Sequence, residues 1–422
     1  MKRRSFVSLL LASAVWLPCL SVQALEVTGV AARQRWPWNN LVDIDFTVVT
    51  NGTESSAGFV IDVVGTFSNG VRKVAASTFT TPVEVQAGTN RVTWNLGADY
   101  PGMRLSDLTL TVSASPLQTY LVIDLSGGPS ATSYPVRYTA TPPDLANDAC
   151  RTDELWLRRV TAGSFTMGSP AGEVGKTANE TPHAVTLTKG FYIGVFEVTQ
   201  QQWHHVTGQK PSYYNNADCW STRPVENVSY NMIRGSTDGT NWPASSTVDA
   251  TSFIGKLRAR SGLACLDLPT EAQWEYACRA GTTTALNNGT NTTSTTSDPS
   301  LGYIARYKYS GGYLGGGTTQ PPQSVDDTSA TAKVGVYLPN AWGLYDMHGN
   351  VWEKCLDWFV GNLGTAGVTD PVGAVSATAA GRADRGGGCW DNAAYCRSAM
   401  RVPSAPHECH ARKGLRLVVN NP

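Results

Sequence analysis

The sequence predicts two globular units of different class: an all-β, sandwich-like domain over residues 25–116 and an α+β domain over 150–422. Three observations carry this. Residues 25–116 alternate apolar and polar side chains with period two and show no helical pattern. Thr199 and Thr270 each stand three residues before a glutamine, the helix-start pattern in which side chain and backbone cap one another. Residues 343–353, GLYDMHGNVWE, mix turn formers with large apolar side chains, which describes packed irregular backbone better than a plain helix or strand.

In chain order, Lys2, Arg3 and Arg4 precede an apolar run over 6–20, and Val22-Gln23-Ala24 offers a small-residue cleavage site. This reads as an export signal over 1–24, with a mature chain beginning near Leu25. Arg3-Arg4-Ser5-Phe6-Val7 resembles a twin-arginine signal with one consensus position missing. The apolar run is short for a membrane span, so no transmembrane segment is expected once it is removed. The expected location is periplasmic, extracellular or at the cell surface.

Val42, Ile44, Phe46 and Val48, then Val83 and Val85, then Leu108, Leu110 and Val112 mark half-buried strands. Asn51-Gly52 and Asn69-Gly70 read as hairpin turns. Residues 117–149 hold two short strands, 121–125 and 134–138, and a polar, Pro-rich linker. Helices are expected from Thr199 to a stop at Gly208, from Asp249 to Arg260, and from Thr270 to a stop at Gly281. Residues 282–300 are rich in Thr, Asn and Ser and read as a mobile surface loop. Tyr303, Tyr307, Tyr309 and Tyr313 read as aromatics packed on an irregular loop, with part of a ligand-facing wall as the alternative, and Asp326-Asp327 as a solvated pair, with a second cation site as the alternative.

Lysine plus arginine equals aspartate plus glutamate at 33 each, and no basic stripe is present, so nucleic acid is not an expected partner. Of nine cysteines, only Cys19 lies in the leader. In an oxidising compartment several of the rest should pair, and their spacing is not that of a zinc site.

Within 343–353, Asp346 and Glu353 offer carboxylates, and Gly349 and Val351 offer carbonyls, which together suit a hard cation; the alternative is a buried turn with two solvated acids. Supporting blocks are GSFTMGS (163–169), EVTQQQW (197–203), RPVENVSY (223–230), LPTEAQWEYACRAG (268–281), RGG (385–387), CRSAMR (396–401) and GLRL (414–417). Together they resemble the formylglycine-generating, or sulfatase-modifying factor, superfamily in block order over roughly 155–419. The resemblance implies a C-type-lectin-like α+β fold and a structural Ca2+ at Asp346, Gly349, Val351 and Glu353. It also implies that Cys355 and Cys396 lie in blocks that pack together, which makes them the first expected disulfide.

In the family's oxidases two cysteines five apart hold copper. Here the first position falls on Asp391 and the second on Cys396. Cu(I) needs soft thiolates, which an aspartate does not replace. Cys389 is seven residues from Cys396 in a turn-rich stretch. Related sulfoxide synthases hold iron with a histidine cluster, and the six histidines here form none. Copper and iron are therefore not expected, and binding is favoured over catalysis. The alternative is an oxidase or oxygenase of this family, or of the non-haem iron type, with altered ligands.

The tail also resembles the variable region of retroelement-diversified lectin-fold proteins, in which a rigid frame presents interchangeable side chains. Trp390, Asp391, Asn392, Tyr395, Met400, His407, Glu408 and His410 would then face a protein or glycan ligand. Cys389 and Cys409 depart from that frame and are a second possible bridge. Arg385, Arg397, Arg401 and Arg416 read as buried structural cations held by acids such as Asp346, Glu271 or Glu275.

Overall fold

The computed structural model describes residues 26–35, 40–50, 58–67, 73–76, 78–81, 83–116, 119–215, 219–312, 330–377 and 380–420. The leader, both Asn-Gly turns, Tyr313 and Asp326-Asp327 lie outside the described residues. The chain divides into two compact units, Met1–Pro116 and Leu117–Pro422.

The first unit is built of two antiparallel sheets. One has the order Glu26–Gln34, Leu41–Val49, Gly88–Asn95. In the other, Phe59–Phe67 pairs with Lys73–Ala75, Glu84–Val85 and Leu108–Pro116. Period-two alternation puts Val42, Ile44, Phe46 and Val48 on one buried face, where they share a cluster with Phe59, Ile61 and Val63 of the second sheet.

The second unit mixes strands and short helices with much irregular backbone. Its largest sheet has six strands in the order Leu266–Asp267, Val418–Asn420, Phe191–Gly194, Glu154–Val160, Tyr120–Asp124, Val136–Thr139. The two short strands expected beside a linker are thus members of this sheet, Val136–Thr139 at its edge and Tyr120–Asp124 next to it. Apolar side chains from it, including Leu121, Ile123, Leu155 and Leu157, pack on Trp203 and Val206 of the helix Gln200–Thr207 and on Phe253 and Leu257 of the helix Phe253–Ser261.

Two helix starts form as expected, with complete capping boxes at Thr199/Gln202 and Thr270/Gln273. Gly208 ends the first in a left-handed conformation, and Ala280, one residue before Gly281, ends the helix Glu271–Arg279. The helix between them starts at Phe253 under a Ser252 cap, not at Asp249. Asp249 accepts the backbone N–H groups of Thr237, Asp238 and Gly239 instead, an alternative a short acidic side chain readily offers the chain.

Residues 282–300 are not a loose loop. Ala285 and Leu286 are fully buried, and Asp298 accepts N–H groups of Thr293, Ser300 and Leu301. Thr295 and Thr296 carbonyls receive the N–H groups of Ala394 and Ala393, so this stretch backs the tail. Of the tyrosines that follow, Tyr307 is buried and Tyr303 is exposed. Among the described residues no helix is long and apolar enough to cross a membrane.

A four-stranded sheet, Arg401–Ser404, Arg382–Arg385, Trp352–Trp358, Lys413–Gly414, gathers the C-terminal blocks. Its register sets Glu353 opposite Arg385 and Arg385 opposite Arg401, which positions the site.

Candidate functional site

Gly343, Asp346, Gly349 and Asn350 all have positive φ, which is why turn-forming residue types fill this stretch. At Gly349 space adds to the demand, since a Cβ would collide with the Arg306 carbonyl. The turns carry acids inward: Asp346, Glu353 and Glu197 are all buried.

Glu353 is held on both oxygens by Arg416, at 2.7 Å from Nη2 and 2.9 Å from Nε, and it accepts the Trp274 indole N–H at 2.6 Å. Glu197 accepts the Val351 N–H at 3.1 Å and the Asn350 side-chain amide at 2.6 Å. Asp346 Oδ2 accepts the Gly335 N–H at 2.7 Å. Its Oδ1 is buried with no hydrogen-bond partner among the described residues. Burial, then repulsion from Asp346 and Glu353, holds the Glu197 carboxyl well above the usual range; burial pushes Asp346 up to about 6.

Of the two acids expected to hold Ca2+, only Asp346 therefore fits, because it has an open oxygen. Glu353 does not fit, because a guanidinium already fills the cation's place. Among the described residues no group of three or more His, Cys, Asp or Glu side chains is arranged to hold a metal. Arg416 is paired with Glu353 and not with Asp346.

In the tail, Asp391 is a hub rather than an open ligand. Its Oδ2 accepts the Trp352 indole N–H at 2.7 Å and the Gly388 N–H at 2.9 Å, and its Oδ1 lies 2.9 Å from Arg412 Nη1. Cys396 is fully buried. Its carbonyl accepts the His348 Nδ1–H at 2.6 Å, while His348 Nε2 accepts the Asn287 N–H at 3.1 Å, which fixes the neutral tautomer. Burial lowers His348 to about 4. Burial, then Asp391 and Cys389, pushes the Cys396 thiol well up, and burial pushes Cys389 up to about 12. Without a metal, burial therefore favours the neutral thiol at both sulfurs.

Cys355 and Cys396 do not bridge: they lie in different apolar clusters, and both are free thiols. Nor do Cys389, which is buried, and Cys409, which is exposed.

The tail residues expected to face a ligand divide. Tyr395 and His407 are exposed; Trp390, Asp391, Asn392, Glu408 and His410 are half-buried. Trp390 sits edge-on to Tyr214 at 6.2 Å, with the Arg412 guanidinium 5.5 Å over its ring. Glu408 is paired with Lys413 at 2.8 Å. Met400 does not belong with them. It is buried, with its sulfur 3.8 Å from the Arg397 Nη2 that Glu180 holds in the interior.

Tyr214, Glu226 and Arg412 were not legible as site residues. Glu226 is wholly buried beneath Tyr214, accepts its N–H at 2.8 Å, and is pushed up to about 7 by burial. An acid inside the otherwise apolar and turn-forming block RPVENVSY was the only available signal.

The four arginines are structural, as expected. Arg385 pairs with Glu275, Arg401 with Glu271 at 2.6 Å, and Arg397 with Glu173 at 2.6 Å and Glu180 at 2.7 Å, all in the interior. Glu271 and Glu275 are thereby occupied.

Comparison with known proteins gives a match to the sulfatase-modifying factor enzyme 1-like domain over residues 144–421. A protein of Paenibacillus barcinonensis named chaperone protein LppX is 31% identical over 195 residues, covering 41% of this chain and 64% of its own length, which is under two thirds. The formylglycine-generating enzyme of Streptomyces coelicolor is 27% identical over 296 residues, covering 61% of this chain and 87% of its own. Treponema denticola variable protein 1 superposes with a TM-score of 0.46 at 26% identity, covering 63% of this chain and 95% of that one. With a family model matching well over half its length, this chain belongs to the sulfatase-modifying factor enzyme 1-like family.

Proposed function

We propose that the chain is an exported binding protein on a formylglycine-generating-enzyme-type, lectin-like scaffold, with the tail around Trp390, Tyr395 and His407 turned toward a protein or glycan. One observation carries this. The side chain at the position of the family's first copper-binding cysteine is Asp391, whose carboxylate is occupied by Trp352, Gly388 and Arg412. A soft metal finds no pair of thiolates there. The name of the Paenibacillus relative, a chaperone, also favours binding.

Calcium belongs to the same proposal in narrower form. Asp346, with the carbonyls of Gly349 and Val351, holds the ion, and Arg416 takes over the neutralising of Glu353.

The test is metal analysis of the mature protein together with incubation with a Cys-x-Pro-x-Arg peptide. Calcium binds, copper and iron stay substoichiometric, and the peptide keeps its mass. Stoichiometric copper that disappears in Cys396→Ser, or an oxidised peptide, overturns the binding reading in favour of an oxidase that uses Cys396 with the neighbouring Cys389. A glycan and peptide array then finds the ligand, with Trp390→Ala and Tyr395→Ala expected to abolish the signal.

A further inference from the structure

The strand Trp352–Trp358 is buried along its whole length, yet its third residue is a lysine. Lys354 is 1% exposed, and Asp384 is fully buried. The antiparallel register between Trp352–Trp358 and Arg382–Arg385 sets these two residues directly opposite one another, so their side chains share one face of the sheet. Ser404, also buried, comes from the next strand, Arg401–Ser404. Lys413 comes from the strand on the other side, Lys413–Gly414.

As an ion pair this one is poorly made. Lys354 Nζ lies 3.8 Å from Asp384 Oδ1, and neither Asp384 oxygen has a hydrogen-bond partner among the described residues. Lys413 Nζ is 3.1 Å from Oδ2 but sits closer to Glu408, at 2.8 Å. The acids nearby are met differently: Glu271 has Arg401 at 2.6 Å, and Glu353 has Arg416 at 2.7 Å. Buried charges recover their desolvation cost only when contacts are close and hydrogen bonds complete. Burial lowers the Lys354 ammonium, and Asp384 only opposes this. Joining the two groups would remove both charges from the interior.

The groups around the pair are those such a condensation uses. The Ser404 hydroxyl lies 3.1 Å from Lys354 Nζ and 3.4 Å from Glu408 Oε2, which makes a path for protons from the amine to a half-buried carboxylate. The Lys413 ammonium stands at Asp384 Oδ2, where negative charge develops when an amine adds to Cγ. Nucleophile, acyl group, proton relay and counter-charge thus come from four adjoining strands and the turn after Ser404.

We propose that Lys354 and Asp384 join in an intramolecular isopeptide bond once folding brings them face to face. The Nζ–Cγ bond forms and one Cγ–O bond of Asp384 breaks. Two protons leave the nitrogen by way of Ser404 and Glu408 and depart with that oxygen as one water. Nothing is oxidised or reduced, and no co-reactant is consumed. The product ties the two central strands of the C-terminal sheet together covalently. This modification does not depend on the tail being a display surface.

Mass analysis of the purified chain, denatured and with its thiols reduced, reads the bond directly. The chain is expected to be lighter than its sequence by one water. Trypsin then leaves residues 334–382 uncut at Lys354 and carrying residues 383–385 on a branch. Lys354→Arg restores the full mass, the cut at position 354 and a free 383–385 peptide. Glu408→Gln lowers the linked fraction at least about tenfold, as loss of a proton relay should. A wild-type chain of full mass that releases 383–385 overturns the proposal and leaves an ion pair only, and this reading needs no variant to fold. A lost water that maps elsewhere in the chain overturns it equally, and a linked fraction unchanged in Glu408→Gln overturns the relay.

Discussion

Arg416 and Glu353 meet through three charge-assisted contacts, Nη2 to Oε1 at 2.7 Å and Nε to Oε2 at 2.9 Å and to Oε1 at 3.1 Å, with both side chains at most 1% exposed. The remaining Arg416 contacts go to the carbonyls of Gly194 and Tyr345, so the pair ties the large sheet to the 343–353 turn. Glu353→Gln leaves that guanidinium buried without its counter-charge. The expected loss is about 3–5 kcal/mol in the stability of the second unit, read as a lower urea midpoint by tryptophan fluorescence. A change under about 1 kcal/mol would contradict the role assigned to the pair.

Stability should fall as pH rises from about 6.5 to about 7.5 in the presence of a chelator; below ~6.5 the buried His348 imidazole, lowered to about 4, acts in the opposite direction. Asp346, Asp357 and Glu226 are pushed up to about 6, about 7 and about 7, with burial the leading cause in each. A carboxyl with a raised folded pKa binds more protons folded than unfolded. Its contribution is complete below the unfolded value near ~4 and is lost as pH rises through the folded value. Acids held low by arginine, such as Glu180 and Glu271, have the opposite sign. Their contribution is already complete above ~4.5. Asp346→Asn and Glu226→Gln should each flatten the thermal midpoint against pH, and calcium should flatten it through Asp346. A midpoint that climbs over this range in the wild type would refute the assignment.

Maleimide labelling followed by peptide mass analysis should find Cys409 modified first. It is the exposed thiol among the eight described, Cys219 and Cys265 are half-buried, and the others are buried. Burial also pushes Cys278 and Cys389 up to about 12, which removes the reactive thiolate at neutral pH. Labelling of Cys389 or Cys396 in the folded chain at the rate of Cys409 would show an open site.

Thr270→Ala removes the acceptor of the Gln273 N–H, at 3.2 Å, and half of a reciprocal cap. The expected cost is about 1–2 kcal/mol, with Thr270→Ser close to wild type in the same urea measurement. Equal losses in both variants would place the effect in packing and not in the cap.

What residue order alone determined was everything whose partner lies within a few positions or whose burial follows a period. The caps at Thr199 and Thr270, the buried alternation from Val42 to Val48 and the turn character of residues 343–353 are of this kind, because a backbone N–H three residues away or a strand face is set locally. The interior fate of the four arginines could also be read, since guanidinium groups among glycine and apolar blocks need acids somewhere. Which acid each one met could not be read: Arg397 took Glu173 and Glu180 from far upstream, and Arg416 took Glu353.

Only the tertiary structure decided the contents of the site. Asp391 is occupied because Trp352 and Arg412 reach it from other strands and turns, and Cys355 is kept from Cys396 by separate packing. Residues 282–300 are pinned by donors in the tail, the N–H groups of Ala393, Ala394 and Ser398. In each case the outcome rests on contacts between residues far apart in the chain. Such contacts depend on where whole elements dock, and neither propensity nor spacing encodes that.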